Sequence, residues 1–180
     1  VSDLTLSEIK KLDAGSWKAP EFANERIPTL QEVLSIMPYN VWLNIHVKGE
    51  GKFPEQVARL ILKQGRIHQA FLACTAKVAL QAKEAVPGIM ICNMERQDDG
   101  QAYVSATISA KTEFIQLRRM NNPQFADLVK QLKANGIRVN YYGTDSPDEI
   151  KMLFETGVDF PLVNDIVGSM EVARKLNMQP

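Results

Sequence analysis

The sequence has few cysteines, no net charge and no long apolar run. Cys74 and Cys92 are its two cysteines. They are too few for a disulfide framework and lack metal-ligand spacing, so we predict two buried free thiols and leave the compartment open. Twenty-one acidic residues balance 21 basic ones, which gives no indication of a nucleic-acid or anionic-membrane partner. No apolar run reaches the length of a membrane span, and the start lacks a signal-peptide pattern.

The chain instead carries a repeated alternation of strand and helix patterns. Strands are predicted at 41–49, 70–74, 89–94, 114–118, 138–142 and 160–164. Helices are predicted at 4–12, from the Thr29 cap to Pro38, at 53–64, 77–86, 100–110 (short and irregular), 123–135, 147–156 and 167–176. Strands that each precede a helix indicate a parallel sheet with helices outside it.

The alternation fits either a doubly wound sheet or a (β/α)8 barrel. No glycine-rich loop follows the first strand, which argues against a nucleotide-binding doubly wound sheet. Polar residues of inward parity stand near the strand ends, namely Lys48, Arg118, Asn140 and Tyr142, and a barrel gathers such residues at one face. We therefore predict an α/β, TIM-type barrel forming a single partial domain over residues 1–180, with about six βα units where a complete barrel has eight.

The first predicted strand, V-W-L-N-I-H-V-K-G at 41–49, carries an unusual polar face. Apolar residues alternate with Asn44, His46 and Lys48, so an amide, an imidazole and an ammonium group share one side. Ligands gather at the carboxyl ends of parallel strands, which makes this face a predicted binding site. An ordinary strand with one solvated face is the alternative.

Several runs of the sequence resemble the glycerophosphodiester phosphodiesterase family. They are L-T-L-S-E-I-K-K-L-D-A-G at 4–15, I-P-T-L-Q-E-V-L at 27–34, the segment 44–48, and G-V-D leading to V-N-D-I at 157–166. That family is a TIM barrel that hydrolyses glycerophosphodiesters to an alcohol and glycerol 3-phosphate, usually with a divalent cation. The resemblance implies a metal-dependent phosphoric diester hydrolase of lipid metabolism, with a small-molecule glycerophosphodiester as its partner.

The resemblance also implies that this chain corresponds to the C-terminal three quarters of such a barrel. The family's H-R pair, E-x-D metal pair and H-D pair lie before the position of Val1, and His46 and His68, the two histidines, stand in neither motif. We therefore expect no catalytic histidine here, the first two βα units to be missing by truncation, and the chain alone to be inactive. In the alternative, the short form is genuine and acts as a non-catalytic binding or assembly module.

The family's third metal ligand is a Glu that stands two residues before a phosphate-binding Lys. In this sequence the pair aligns with His46 and Lys48. The resemblance implies that Lys48 contacts the phosphate, and that His46 is a metal ligand or else an orienting or substrate-contacting histidine. Neutral imidazole suits Zn²⁺ or Mn²⁺ better than Ca²⁺ or Mg²⁺, so the identity of the metal stays open.

Two further residues are candidates for substrate binding. Arg118 has inward parity and is suited to phosphate oxygens or glycerol hydroxyls, while its neighbour Arg119 is expected to face away. Tyr142 aligns with a position that is usually aromatic in the family and would pack on the glycerol carbons. Packing in the barrel layers with a solvated tip is the alternative for both Arg118 and Tyr142.

A barrel that lacks two strands would expose two strand edges. The strands at 41–49 and 160–164 would then present unpaired backbone groups beside an apolar interior. We expect marginal stability, self-association through these edges, or completion by the missing segment from another chain.

Overall fold

The computed structural model describes residues 3–49, 51–118 and 123–178. Its backbone divides into two compact units, Val1–Tyr39 and Asn40–Pro180. Whether the whole chain acts as one domain stays a prediction. Over the described residues the α-helices are α1 (Leu6–Ile9), α2 (Leu30–Ile36), α3 (Phe53–Lys63), α4 (Ala76–Ala85), α5 (Gly100–Ala110), α6 (Phe125–Ala134), α7 (Pro147–Thr156) and α8 (Ile166–Lys175). The strands are β1 (Leu43–His46), β2 (Ala70–Cys74), β3 (Met90–Asn93), β4 (Phe114–Arg118), β5 (Arg138–Tyr142) and β6 (Phe160–Leu162).

Two capping boxes begin the helices of the first unit. At α1, Thr5 Oγ1 accepts from the Glu8 backbone N–H at 3.3 Å and Glu8 Oε2 accepts from the Thr5 N–H at 2.7 Å. Thr29 and Glu32 repeat the arrangement at α2, with distances of 3.2 and 2.7 Å. Both caps satisfy backbone donors that a helix start leaves unpaired, and the cap at Thr29 is predicted from the sequence.

Asp13 fixes the loop between these two helices. Its carboxylate accepts backbone N–H groups of Gly15, Ser16 and Asn24, each at 2.8 Å. The hydrogen bonds with Ser16, Asn24 and Gly15 hold the pKa of Asp13 well below its usual range. The loop contains one short 3-10 turn, Pro20–Phe22.

The second unit is a parallel sheet whose strands follow one another in sequence order, β1 to β6. Each strand pairs parallel with the next, and a helix separates every consecutive pair. A doubly wound sheet would reverse its strand order partway, whereas a barrel keeps it. The chain therefore forms an incomplete TIM-type barrel, and the predicted fold class is confirmed.

Aromatic rings fill the amino-terminal end of the sheet's concave face. Phe71 and Phe114 stack with centroids 4.0 Å apart, and Trp42 meets Phe114 edge-on at 5.3 Å. Phe160 lies 6.1 Å from Trp42, and the guanidinium carbon of Arg138 lies 4.8 Å from the Trp42 ring. This layer supports the polar layers above it through aromatic and cation–π contacts.

The first and last strands, predicted at 41–49 and 160–164, are shorter in the structure, where they span Leu43–His46 and Phe160–Leu162. One helix prediction is also corrected. The segment 100–110 is a regular α-helix, not an irregular one, because Tyr103, Val104 and Thr107 form a fully buried face at helical spacing. Cys74 and Cys92 are free and buried as predicted. Burial raises the pKa of both thiols to about 12. Among the described residues, no helix has the length and apolar character needed to cross a membrane.

Candidate functional site

Side chains from four strands, most of them polar, converge at the carboxyl end of the concave face. His46, Arg118, Tyr142 and Leu162 stand at the ends of β1, β4, β5 and β6. They line one cavity of about 450 Å³ together with Asn44, Met94, Gln97 and Gln116. The structure thus brings His46, Arg118 and Tyr142 together.

Strand register explains why these residues meet. Arg118 pairs with Tyr142 across β4 and β5, and Tyr142 pairs with Leu162 across β5 and β6. Residues at one level of a parallel sheet project to the same face. Three side chains far apart in sequence therefore form one continuous wall.

Lys48 lies just beyond β1, beside this cavity. The Val47 N–H donates to the Ala73 carbonyl at 3.0 Å, so the ladder continues past the end of the strand and orients the next residue. Lys48 lines an adjoining cavity of about 280 Å³, which shares His46, Met94 and Gln97 with the first. Lys48 and Arg118 therefore line neighbouring cavities, and His46 lines both.

The surroundings of His46 favour its neutral form. Burial lowers the pKa of its imidazole below the ordinary 6.5, and the positive charge of Lys48 lowers it further. A neutral imidazole offers one N–H donor and one nitrogen acceptor. Near neutral pH, His46 therefore adds hydrogen-bonding capacity to the site without adding charge.

Arg118 forms a bidentate ion pair with Asp98, which lies in the loop between β3 and α5. Its Nε lies 3.0 Å from Asp98 Oδ1 and its Nη2 lies 2.5 Å from Oδ2. This pair raises the pKa of Arg118, which stays charged. Sequence reasoning missed Asp98 because the run D-D-G at 98–100 indicates only a turn.

The buried Tyr103 connects β3 to β4, the strand that carries Arg118. The β3–β4 pairing ends at Asn93 opposite Ile115. Beyond this point the Tyr103 hydroxyl donates to the Asn93 carbonyl and accepts from the Gln116 N–H at 3.3 Å. Gln97 Nε2 donates to the Gln116 carbonyl at 3.1 Å. Tyr103 and Gln97 therefore fix the carboxyl end of β4.

The described residues do not by themselves fit a divalent metal ion. They contain no group of three or more His, Cys, Asp and Glu side chains arranged to hold one. His46 has Asn44 and Gln116 as neighbours in the cavity, and neither amide carries negative charge. Structural and catalytic metal sites need several converging donors. The role of His46 as a metal ligand stays a prediction, as does that of Lys48, Arg118 and Tyr142 in substrate binding; Arg119 lies outside the described residues.

The fold and the polar cavity at the carboxyl ends define the class of protein, an α/β barrel of the TIM type. The sequence model of the Glycerophosphoryl diester phosphodiesterase family matches residues 1–167. The chain belongs to this family, which confirms the resemblance seen in the sequence.

Relatives and solved structures agree with this placement. The chain is 27% identical to the glycerophosphodiester phosphodiesterase of Caldanaerobacter subterraneus, over 97% of this chain and 73% of that one. It is 25% identical to the glycerophosphodiester phosphodiesterase of Bacillus subtilis, over 88% and 60%. A crystal structure of glycerophosphodiester phosphodiesterase from Agrobacterium tumefaciens superposes with a TM-score of 0.75 at 19% identity, over 94% and 71%, and this likeness shows the fold.

The chain is shorter than these relatives. It spans 22%, 73% and 60% of three curated relatives that it matches. The activity of a whole family member is therefore a proposal for this chain.

Proposed function

We propose that this chain provides the phosphate-binding side of a glycerophosphodiester phosphodiesterase site, an enzyme of lipid metabolism that releases an alcohol and glycerol 3-phosphate. The supporting observation is the meeting of His46, Arg118 and Tyr142 in one cavity, with Lys48 beside it. A glycerophosphodiester combines an anionic phosphate with a short carbon chain that carries hydroxyl groups, and this cavity combines cationic, hydrogen-bonding and aromatic groups.

Each residue suits a distinct part of such a substrate. Lys48 acts as a point charge toward a non-bridging phosphate oxygen, and Arg118 offers a planar fork for two oxygens. Neutral His46 donates or accepts one hydrogen bond, and the Tyr142 ring packs on the glycerol carbons. Groups fixed in this way stabilise charge that develops on the phosphate during hydrolysis.

We assign proton transfer to the leaving group to residues other than Lys48, Arg118, His46 and Tyr142. General acid–base catalysis contributes about 10²- to 10⁴-fold to such reactions. Lys48 and Arg118 are cations, and His46 is the one imidazole in the cavity. The family resemblance implies a divalent cation in the complete domain, and His46 would supply at most one of its ligands.

The first prediction is that the 180-residue chain binds glycerol 3-phosphate but does not hydrolyse glycerophosphocholine. Binding is measured by NMR titration and turnover by release of choline. Lys48→Ala should weaken binding by about two- to fivefold, the range of one exposed charge pair. Lys52→Ala is the matched control, because Lys52 carries the same charge but lines a different cavity with Glu55 and Arg59.

Two results would contradict this proposal. Equal loss of binding in the Lys48 and Lys52 variants would show that the anion is not held at the carboxyl ends. Turnover by the chain alone, abolished by a chelator, would show that its own residues complete the catalytic groups.

A binding or assembly module is the second candidate function, and the sheet edges favour it. Among the described residues, β1 pairs with β2 alone and β6 with β5 alone. Such edges can accept strands from a second copy or from a complementary segment. Self-association through them is therefore part of the proposal and is tested below.

A further inference from the structure

We propose that the Asp98 carboxylate competes with the substrate phosphate for the guanidinium of Arg118, and so weakens the retention of the doubly charged product. This inference rests on the proposed function. It assigns Asp98 a role in tuning anion affinity, outside the set of groups that bind the substrate.

The Arg118 side chain lines two cavities. It lines the cavity of about 450 Å³ with His46 and Tyr142, and also a cavity of about 460 Å³ with Asp98 and Asp99. The two contacts to Asp98, at 3.0 and 2.5 Å, use one edge of the guanidinium. A carboxylate and a phosphate match this fork in the same bidentate way, so a phosphate that approaches the same edge would have to replace Asp98.

Exposure makes the exchange of partners feasible. The Asp98 side chain is 73% exposed and that of Arg118 is 33% exposed. Exposed ion pairs contribute little free energy because water solvates both partners well. Release of Asp98 therefore leaves its charge in solvent, whereas release of a buried carboxylate would leave an uncompensated charge in the interior.

The charges of substrate and product give the competition a direction. A phosphodiester carries one negative charge, and a phosphomonoester approaches two near neutral pH. With its charge balanced by Asp98, Arg118 attracts either anion less strongly. The effect is larger for the monoester, since the Coulomb energy scales with the charge. Asp98 thus favours release of glycerol 3-phosphate.

The test compares Asp98→Asn with Asp99→Asn in the 180-residue chain. Both variants remove one negative charge from the same exposed loop, and the Asp99 side chain makes no capping hydrogen bond at α5. Dissociation constants are measured by NMR for glycerol 3-phosphate and for glycerophosphocholine. We expect Asp98→Asn to tighten glycerol 3-phosphate binding by about two- to fivefold, and Asp99→Asn to change it by less than about twofold.

A readout that needs no ligand accompanies the titrations. The Nε–H signal of Arg118 should shift in Asp98→Asn and stay in place in Asp99→Asn, because Asp98 accepts from that group. In the wild type, added glycerol 3-phosphate should move this signal as the partner exchanges.

Several outcomes would overturn the inference. Weaker binding in Asp98→Asn would mean that Asp98 orients Arg118 for the anion. Equal changes in the affinity of the two variants would show that the loss of one negative charge from the loop explains the effect, without a specific role for Asp98. If Lys48→Ala weakens binding but Asp98→Asn does not change it, the inference about Asp98 is wrong and the proposed function stands. If no form of the chain binds either ligand, the proposed function fails and the inference fails with it.

Discussion

At the scale of single residues, His46 and Lys48 are coupled through their charges. Burial is the larger cause of the lowered pKa of His46, and Lys48 is the second. We predict that the Cε1–H signal of His46 titrates below pH 6.5, the ordinary value. Lys48→Ala should raise this pKa only part of the way, because burial remains. NMR pH titration measures both values.

The same shift has a consequence for stability. The native state binds fewer protons at His46 than the unfolded state does between the lowered pKa and 6.5. The contribution of His46 to stability is therefore present above pH 6.5 and is lost as the pH falls through this window. A His46 that titrates at or above 6.5 would instead indicate a carboxylate close to the imidazole.

Sequence reasoning identified residues on strands and missed one on a loop. Arg118 and Tyr142 were predicted to lie together, and equal register brings their strand ends to one face. His46 ends β1 with the same inward parity and lines the same cavity, although it is not level with Arg118 in the sheet. Asp98 has no such regularity. Its pairing with Arg118 depends on the path of the loop after β3, which no periodic pattern encodes.

At the scale of secondary structure elements, the Tyr103 hydroxyl replaces ladder hydrogen bonds between β3 and β4. We predict that Tyr103→Phe lowers the free energy of unfolding by about 1–3 kcal/mol, because it removes a hydrogen-bond partner from the buried Asn93 carbonyl and the Gln116 N–H. Urea denaturation measures the loss. Tyr142→Phe is the matched control, with a side chain that is 53% exposed, and should change stability by less than about 0.5 kcal/mol.

Amide exchange locates the effect. The Gln116 amide should exchange faster in Tyr103→Phe, while amides in β2 keep their protection. Equal stability of the two Phe variants would show that water or another group satisfies the freed partners.

The elements themselves followed the sequence closely, with deviations where tertiary contacts intervene. The strands predicted at 70–74, 114–118 and 138–142 have those bounds in the structure. Helix α5 is regular because its buried face outweighs the weak helix propensity of its Ser, Thr and Gly residues. The short β3–β4 pairing was not predictable, since it depends on Tyr103 from a later helix.

At the scale of the whole molecule, the order of the strands was predictable because each βα unit packs beside the preceding one. What covers the outer edges of β1 and β6 was not, since among the described residues each of these strands pairs with one neighbour. The free edges are also where the two candidate functions make different predictions.

We predict that the isolated chain self-associates through the edge of β1. The Leu43 N–H donates to the Gln69 carbonyl just before β2 at 2.7 Å, and the Val47 N–H donates to the Ala73 carbonyl of β2 at 3.0 Å. By alternation the N–H of Asn44 therefore points away from β2. Trp42, 36% exposed at the start of this strand, adds apolar surface. Light scattering after size exclusion should show dimers or larger species that increase with concentration.

The edge can be blocked without removing the strand. Asn44→Pro deletes the outward N–H and leaves the bonds to β2, since proline is tolerated at sheet edges. We expect this variant to shift the chain toward monomer, and Asn44→Ala, which keeps the N–H, to associate like the wild type. A wild-type chain that stays monomeric at all concentrations and unfolds in one cooperative thermal transition would contradict the prediction. It would mean that the chain protects its own edges, and the assembly function would lose its support.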